Sequence, residues 1–192
     1  MTKNKLAFVS GATSGIGEAT AEILAANQWD LIISGRRLDR LNELASSLNT
    51  KYNVYVRALC FDIQQREQVK DSLASCADLL TKIDLLVNNA GLALGKSPFQ
   101  EGLESDWETM IDTNLKGIIY LTKEVIPFMI KNKSGHIVNI SSTAARDMYP
   151  GGNVYSASKS AVDALTKSLR LDLLEHNIKV SSVAPGMVHT EF

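Results

Sequence analysis

Cysteine is scarce in this chain. Its two residues, Cys60 and Cys76, have no paired spacing and no histidine nearby. That argues against a disulfide framework or a thiolate metal site, and for two inert thiols in a reducing compartment. The three histidines, His136, His176 and His189, stand apart from any cluster of acids or thiols. They are read as surface or packing residues, and no metal site is expected. An excess of one charge is also missing: the formal net charge is −1. Nothing in that balance calls for a nucleic-acid or anionic-membrane partner. No apolar run approaches the roughly 20 residues that cross a bilayer. Lys3 and Lys5 before "LAFVS" have the outline of a secretory leader, but the run breaks at once into Gly11, Gly15 and Glu18. There is no repeat, low-complexity segment or linker. The expectation is one cytoplasmic domain over 1–192.

What is present is apolar and periodic. Hydrophobic residues make up 45% of the chain, enough for a substantial core. Six short apolar runs read as strands: Leu6–Ser10, Leu31–Ser34, Val54–Phe61, Leu85–Val87, Ile137–Ile140 and Lys179–Ala184. They do not alternate apolar with polar, which marks strands buried on both faces of a parallel sheet. Amphipathic patterns fall between them at Gly15–Asn27, Leu38–Leu48, Arg66–Thr81, Glu104–Lys131 and Val154–Glu175. Strand and helix in alternation give an α/β fold with a doubly wound parallel sheet in three αβα layers. From Asn114 to Lys131 the charges Lys116, Lys123, Glu124 and Lys131 share one narrow side, and the rest is apolar. One sheet face needs an apolar stripe only about 100° wide. The surplus points to a second partner, a homo-oligomer being the expectation and burial within a larger monomer the alternative.

The first strand runs directly into "SGATSGIG". Gly11, Gly15 and Gly17 between a strand and a helix permit a tight turn and let backbone N–H groups approach a pyrophosphate. The helix beginning there adds its positive N-terminal end. A purely structural turn is the alternative. NAD-binding folds place an acid about 20 residues past the glycines, on the ribose 2′-hydroxyl. Here the second strand ends "ISGRRLDR", with Arg36 and Arg37 where that acid would stand. A guanidinium fork suits a 2′-phosphate, so NADP(H) is the expected cofactor. The alternative is a solvated pair opening a helix.

The stretch "YSASK" sets Tyr155 and Lys159 one helical turn apart on one face, with Ser156, Ala157 and Ser158 between them. A free phenol, with a pKa near 10, is a poor base at neutral pH. A neighbouring ammonium is expected to lower that value. The small residues between are expected to leave room for the cofactor and for close helix packing.

Taken in order, "GATSGIG", "NNAG" at Asn88–Gly91, Asn114, the Ser141–Ser142 pair, "YSASK" and "PGMVHT" from Pro185 make the chain similar to the short-chain dehydrogenases/reductases along essentially its whole length. "NNAGLALG", "DWETMIDTN" and "PGGNVY" resemble the branch of NADP-dependent 3-hydroxy acid dehydrogenases, or serine dehydrogenases. The resemblance implies hydride transfer between NADP and the 3-hydroxyl of small acids such as serine or 3-hydroxypropionate. It implies a catalytic set of Asn114, Ser142, Tyr155 and Lys159. Tyr155 would exchange a proton with the substrate oxygen and Ser142 would hydrogen-bond that oxygen. Lys159 would hold the nicotinamide ribose, and Asn114 a relay water. It further assigns to the cofactor Gly11, Thr13, Ser14, Gly15, Ile16 and Gly17, then Arg36 and Arg37, then Asp62 and Ile63 beside the adenine. Asn89, Ala90 and Gly91 come next at the ribose, with Pro185, Gly186, Val188 and Thr190 near the end of the sequence. Tyr155 and Lys159 serve both functions. Asn88 is expected to strap strands together. Family members continue past the "PG" motif with a substrate-covering segment and a last strand, and the sequence ends at Phe192, at the threshold of that segment. A 3-oxoacyl thioester or ketone reductase on the same scaffold is the nearest rival, and an NADP-sensing binding protein the non-enzymatic one.

Overall fold

The computed structural model describes residues 4–191. Lys3, considered above as part of a leader, and Phe192 lie outside the described residues. Among the described residues, six parallel strands form one sheet in the order β3-β2-β1-β4-β5-β6. They are β1 (Leu6–Ser10), β2 (Asp30–Gly35), β3 (Val56–Cys60), β4 (Ile83–Asn88), β5 (Gly135–Ile140) and β6 (Ile178–Val183). The helices are α1 (Gly15–Ala26), α2 (Leu38–Tyr52), α3 (Arg66–Ala74), α4 (Ala77–Leu80), α5 (Glu104–Ile111), α6 (Gly117–Asn132) and α7 (Asn153–Asp172).

Alternate side chains of each strand serve opposite faces. On one face Leu6, Phe8, Ile32, Leu86 and Ile137 pack with Val69 and Leu73 of α3 and with Leu121, Val125 and Met129 of α6. On the other, Ala7, Val9, Leu31, Ile33 and Val87 pack with Ala21 and Ala25 of α1 and Leu41 and Leu48 of α2. These are the three expected layers. Burial on both faces holds for the central β1, whose five residues are all buried. It fails at the sheet edges: Arg57 and Cys60 of β3, and Lys179 and Val183 of β6, are exposed. An edge strand has a neighbour on one side only, so half of its flank stays wet.

Two helical readings need correction. The pattern over Arg66–Thr81 breaks at Cys76, whose φ of −130° ends α3 and starts α4. The break keeps Val69, Leu73, Cys76 and Leu80 all within one buried cluster. The pattern over Glu104–Lys131 is interrupted by a π-helical stretch, Asp112–Lys116. A π-turn inserts one residue and rotates the rest of the helix, and such bulges gather at functional sites. Here it carries Thr113 and Asn114 into the interior. Much of the apolar surplus on α6 is absorbed inside the protein: Tyr120, Ile126, Phe128 and Ile130 pack partly buried against the core cluster that α3 also joins. Ile111 and Ile119 stay exposed.

The chain leaves β1 for one face of the sheet and leaves β4 for the other. That divergence opens a crevice beyond the C-terminal ends of β1 and β4, where doubly wound folds bind ligands. Buried hydrogen bonds keep its back wall rigid. Asn88 Nδ2 donates to Asn139 Oδ1 at 2.8 Å and to Thr122 Oγ1 at 2.9 Å, and Asn139 Nδ2 donates to Thr166 Oγ1 at 2.9 Å. Asn88 is thus the strap the sequence suggested, tying β4 to β5 and α6. No helix among the described residues is long and apolar enough to cross a membrane.

Candidate active site

A cleft of about 430 Å³ opens at that crevice. Its first wall is the turn after β1. Gly11 and Gly15 have φ of +66° and +58°, which only glycine adopts without strain. A Cβ at Gly11 would come 2.8 Å from Ala90 Cα. Thr13, Ser14, Gly15 and Ile16 line the cleft, so the first turn of α1 faces it with free backbone N–H groups. Gly17, expected at the cofactor, does not line the cleft. It is buried, and a Cβ there would overlap the Gly11 carbonyl and the Asn89 amide. Its role is close packing of helix on turn.

Asn89, Ala90 and Gly91 extend from β4 along the floor. The Asn89 side chain is committed to the turn, donating to Ser10 O at 2.9 Å and Gly11 O at 3.0 Å. Ser10 Oγ in return accepts from Asn89 N and Ala90 N. Asp62 and Ile63 after β3 form the far wall with Phe61, and Gln64 donates to Thr113 Oγ1 at 2.8 Å.

The two arginines separate. Arg36 reaches toward Asp62, 3.9 Å away. Arg37 turns to the glycine loop, donating to Thr13 Oγ1 at 2.8 Å, Thr13 O at 3.1 Å and Ser14 Oγ at 2.9 Å. Its remaining amino group meets Glu191 at 2.9 Å. Arg40 holds the same carboxylate through both oxygens, at 2.8 and 2.7 Å. Hydrogen bonds from Arg37 and then Arg40 keep the Glu191 carboxyl below its ordinary range. Neither Arg40 nor Glu191 was expected in the site. Arg40 could have been found, since it stands three residues after Arg37 at the start of a helix. Glu191 could not, because only the fold brings it beside them.

At the other end of the cleft, Ser141 and Ser142 lie just past β5. Ser141 N donates to Val183 O at 2.7 Å and Thr143 N to Pro185 O at 3.0 Å, extending the β5–β6 pairing past the strand ends. That extension carries Pro185, Gly186, Val188 and Thr190 to the cleft. Ser142 has an extended backbone, caps the short turn Thr143–Ala145 and hydrogen-bonds the Tyr155 phenol. Tyr155 and Lys159, one turn apart on α7, both line the cleft. Lys159 is 3% exposed, and its ammonium donates to Ile140 O at 2.9 Å.

Here the expected pKa logic reverses. Burial raises the Tyr155 pKa, and the Ser142 hydrogen bond offsets only part of that. The Lys159 ammonium points to Ile140 O and lies 6.0 Å from the centre of the phenol ring. Desolvation pushes its own pKa down to about 8, against a small opposing pull from Asp163. The pair is therefore a protonated phenol beside an ammonium that gives up its proton more readily than an exposed lysine.

Asn114 is fully buried and does not line the cleft. Its amide donates to Leu92 O at 2.9 Å and Ser158 Oγ at 3.1 Å, and its Oδ1 accepts from Leu92 N at 2.8 Å. It sits directly behind Lys159: a Cβ on Gly91 would be 3.2 Å from both Asn114 Oδ1 and Lys159 Nζ. Ser156, Ala157 and Ser158 do not line the cleft either. Ser156 and Ser158 are buried, so their size serves helix packing.

A doubly wound sheet, a glycine turn at its switch point and a serine–tyrosine–lysine set beyond β5 together define a dinucleotide-binding oxidoreductase scaffold. The family model for short chain dehydrogenases matches residues 5–192, and the chain belongs to that family. It is 43% identical over 188 residues to the NADP-dependent 3-hydroxy acid dehydrogenase of Shigella flexneri, covering 97% of this chain and 74% of that one. It is 42% identical over 185 residues to the serine 3-dehydrogenase of Agrobacterium fabrum, covering 96% and 72%. The closed form of serine dehydrogenase complexed with NADP+ superposes with a TM-score of 0.91 at 42% identity, covering 97% of this chain and 74% of that one.

Lys159 yields a stability prediction. A lysine whose folded pKa is depressed binds fewer protons than the unfolded chain between about pH 8 and its ordinary value. Stability contributed by that group therefore rises with pH across this window, and below it the buried charge costs roughly 3 kcal/mol. Lys159→Met should raise the melting temperature at pH 7, and the gap to the unmodified protein should narrow by pH 9. Equal melting temperatures at pH 7 would mean that the ammonium is not desolvated.

Proposed function

We propose that the chain, as one unit over 1–192, is an NADP(H)-dependent oxidoreductase acting on the 3-hydroxyl of small 3-hydroxy acids, or on the corresponding semialdehydes in reverse. One observation carries the reading. Ser142, Tyr155 and Lys159 stand at one end of a cleft whose other end presents an arginine already bound to an anion. The donor set fits the nucleotide. Glycine and helix N–H groups suit a pyrophosphate, and guanidinium groups suit a 2′-phosphate. The names of the relatives supply the substrate class.

Bound in the cleft, the cofactor would supply the hydride chemistry, NADP+ accepting hydride or NADPH donating it. The protein handles the proton. Tyr155, kept protonated by burial, is ready to donate to a carbonyl oxygen in the reducing direction. In the oxidising direction it must first lose that proton. Lys159 favours this step only when its ammonium turns from Ile140 O toward the phenol. Ser142 shares its hydrogen bond between the phenol and the reacting oxygen. Asn114 holds the Leu92 backbone and α7 in register behind Lys159, which keeps the ammonium where both functions need it. The adenine end is assigned to Asp62 and Ile63, and the ribose end to Asn89 through Gly91.

A cofactor-linked absorbance assay with serine, 3-hydroxypropionate and an acetoacetyl thioester separates the readings. Turnover of the hydroxy acids supports the proposal, and turnover of the thioester alone favours the reductase rival. Tyr155→Phe keeps the ring and removes the proton, so turnover should fall by about 10²–10⁴-fold. Near-normal turnover in that variant would remove Tyr155 as the acid/base.

We also propose a cytoplasmic homodimer or homotetramer. Exposed Ile111 and Ile119 beside α6, and Leu171 and Leu174 at the end of α7, supply apolar surface for the contact. Light scattering at micromolar concentration should give a dimer or tetramer mass; a monomer mass would refute the assembly.

A further inference from the structure

Glu191 and Arg40 belong to no motif, yet they make the densest ionic contact at the cleft. One carboxylate takes three hydrogen bonds, one from Arg37 and two from Arg40. Arg37 is fixed at its other edge by Thr13 and Ser14. Its guanidinium therefore cannot drift, and the amino group aimed at Glu191 is held ready for an anion. Arg37 is the residue that caps the start of α2 and Arg40 follows three positions on in its first turn, so the two side chains close on the same point. Arg36, the other member of the expected fork, faces Asp62. The anion position at this wall is thus defined by Arg37 and Arg40, and in the ligand-free protein a carboxylate fills it.

We propose that Glu191 is a resident anion that holds Arg37 and Arg40 until the cofactor's 2′-phosphate replaces it, and that Arg40 selects NADP over NAD together with Arg37. This rests on the cofactor reading above. The physical reason for exchange is charge. A phosphate monoester carries close to two negative charges at neutral pH and three acceptor oxygens, so it outcompetes one carboxylate for two guanidinium groups. The two anions cannot share them without repulsion. A ribose 2′-hydroxyl is neutral and cannot displace Glu191. NADP, and not NAD, therefore releases the segment after β6, which also brings Val188 and Thr190 to the cleft. The same exchange that reads the 2′-phosphate frees a wall of the site.

Calorimetric titration of the unmodified protein, Glu191→Gln and Arg40→Ala with NADP and with NAD tests this without turnover. Each exposed ion pair is worth a fraction of a kcal/mol, so removing the competing charge should tighten NADP by roughly threefold to tenfold. NAD affinity should move by less than about twofold in the same variant. Arg40→Ala should weaken NADP by about tenfold and leave NAD nearly unchanged. An unmodified protein that prefers NADP, with a Glu191→Gln variant that binds it no more tightly, overturns the exchange and leaves the cofactor reading standing. An unmodified protein with no preference for NADP overturns both.

Discussion

The site depends on a buried ammonium. Lys159 lies among the side chains of α7 and the end of β5, with one backbone carbonyl, Ile140 O, to replace the water it has lost. Such a charge is costly, and the surrounding structure must hold it in place. The polar bonds behind it do that. Asn114, turned inward by the π-stretch, joins Leu92 to Ser158 on α7. Ser141 Oγ reaches Lys159 O at 3.4 Å. Asn139, next to Ile140 on β5, is tied to Asn88 and Thr166. These bonds hold the buried ammonium in place at a cost in stability.

The cleft has two ends with opposite surroundings. At the β5 end burial raises the phenol pKa and lowers that of the ammonium. At the β2 end the cations are exposed: Arg36, Arg37 and Arg40 stand in solvent at the start of α2. The segment after β6 touches both. Pro185 accepts from Thr143 beside Ser142, and Glu191 meets Arg37. One short segment therefore connects the Ser142 end to the arginine end.

The strands, the layers and the ends of the cleft were legible in the sequence, because uninterrupted apolar runs and glycine spacing are local signals. Tyr155 with Lys159 and the glycine turn were legible for the same reason. Other features were not. Gly17 looked like a ligand contact, but a Cβ there would meet the Gly11 carbonyl and the Asn89 amide, and Asn89 comes from a distant segment. Asn114 was expected in the site, but it is buried behind the cleft, turned inward by a π-stretch that no periodicity announces. The sign of the phenol shift was misjudged because spacing brings Lys159 near Tyr155 but says nothing of Ile140 O, which takes the ammonium. The pairing of Arg37 with Glu191 spans 154 residues of chain and exists only in the fold.

The direct test is the pKa of the Lys159 side chain in the nucleotide-free protein. It can be followed by NMR on lysine-labelled protein, with Lys159→Met to assign the signal. Burial beside Ile140 O predicts titration near 8. Titration at the ordinary lysine value of about 10.4 would contradict the account, because the ammonium would then be solvated.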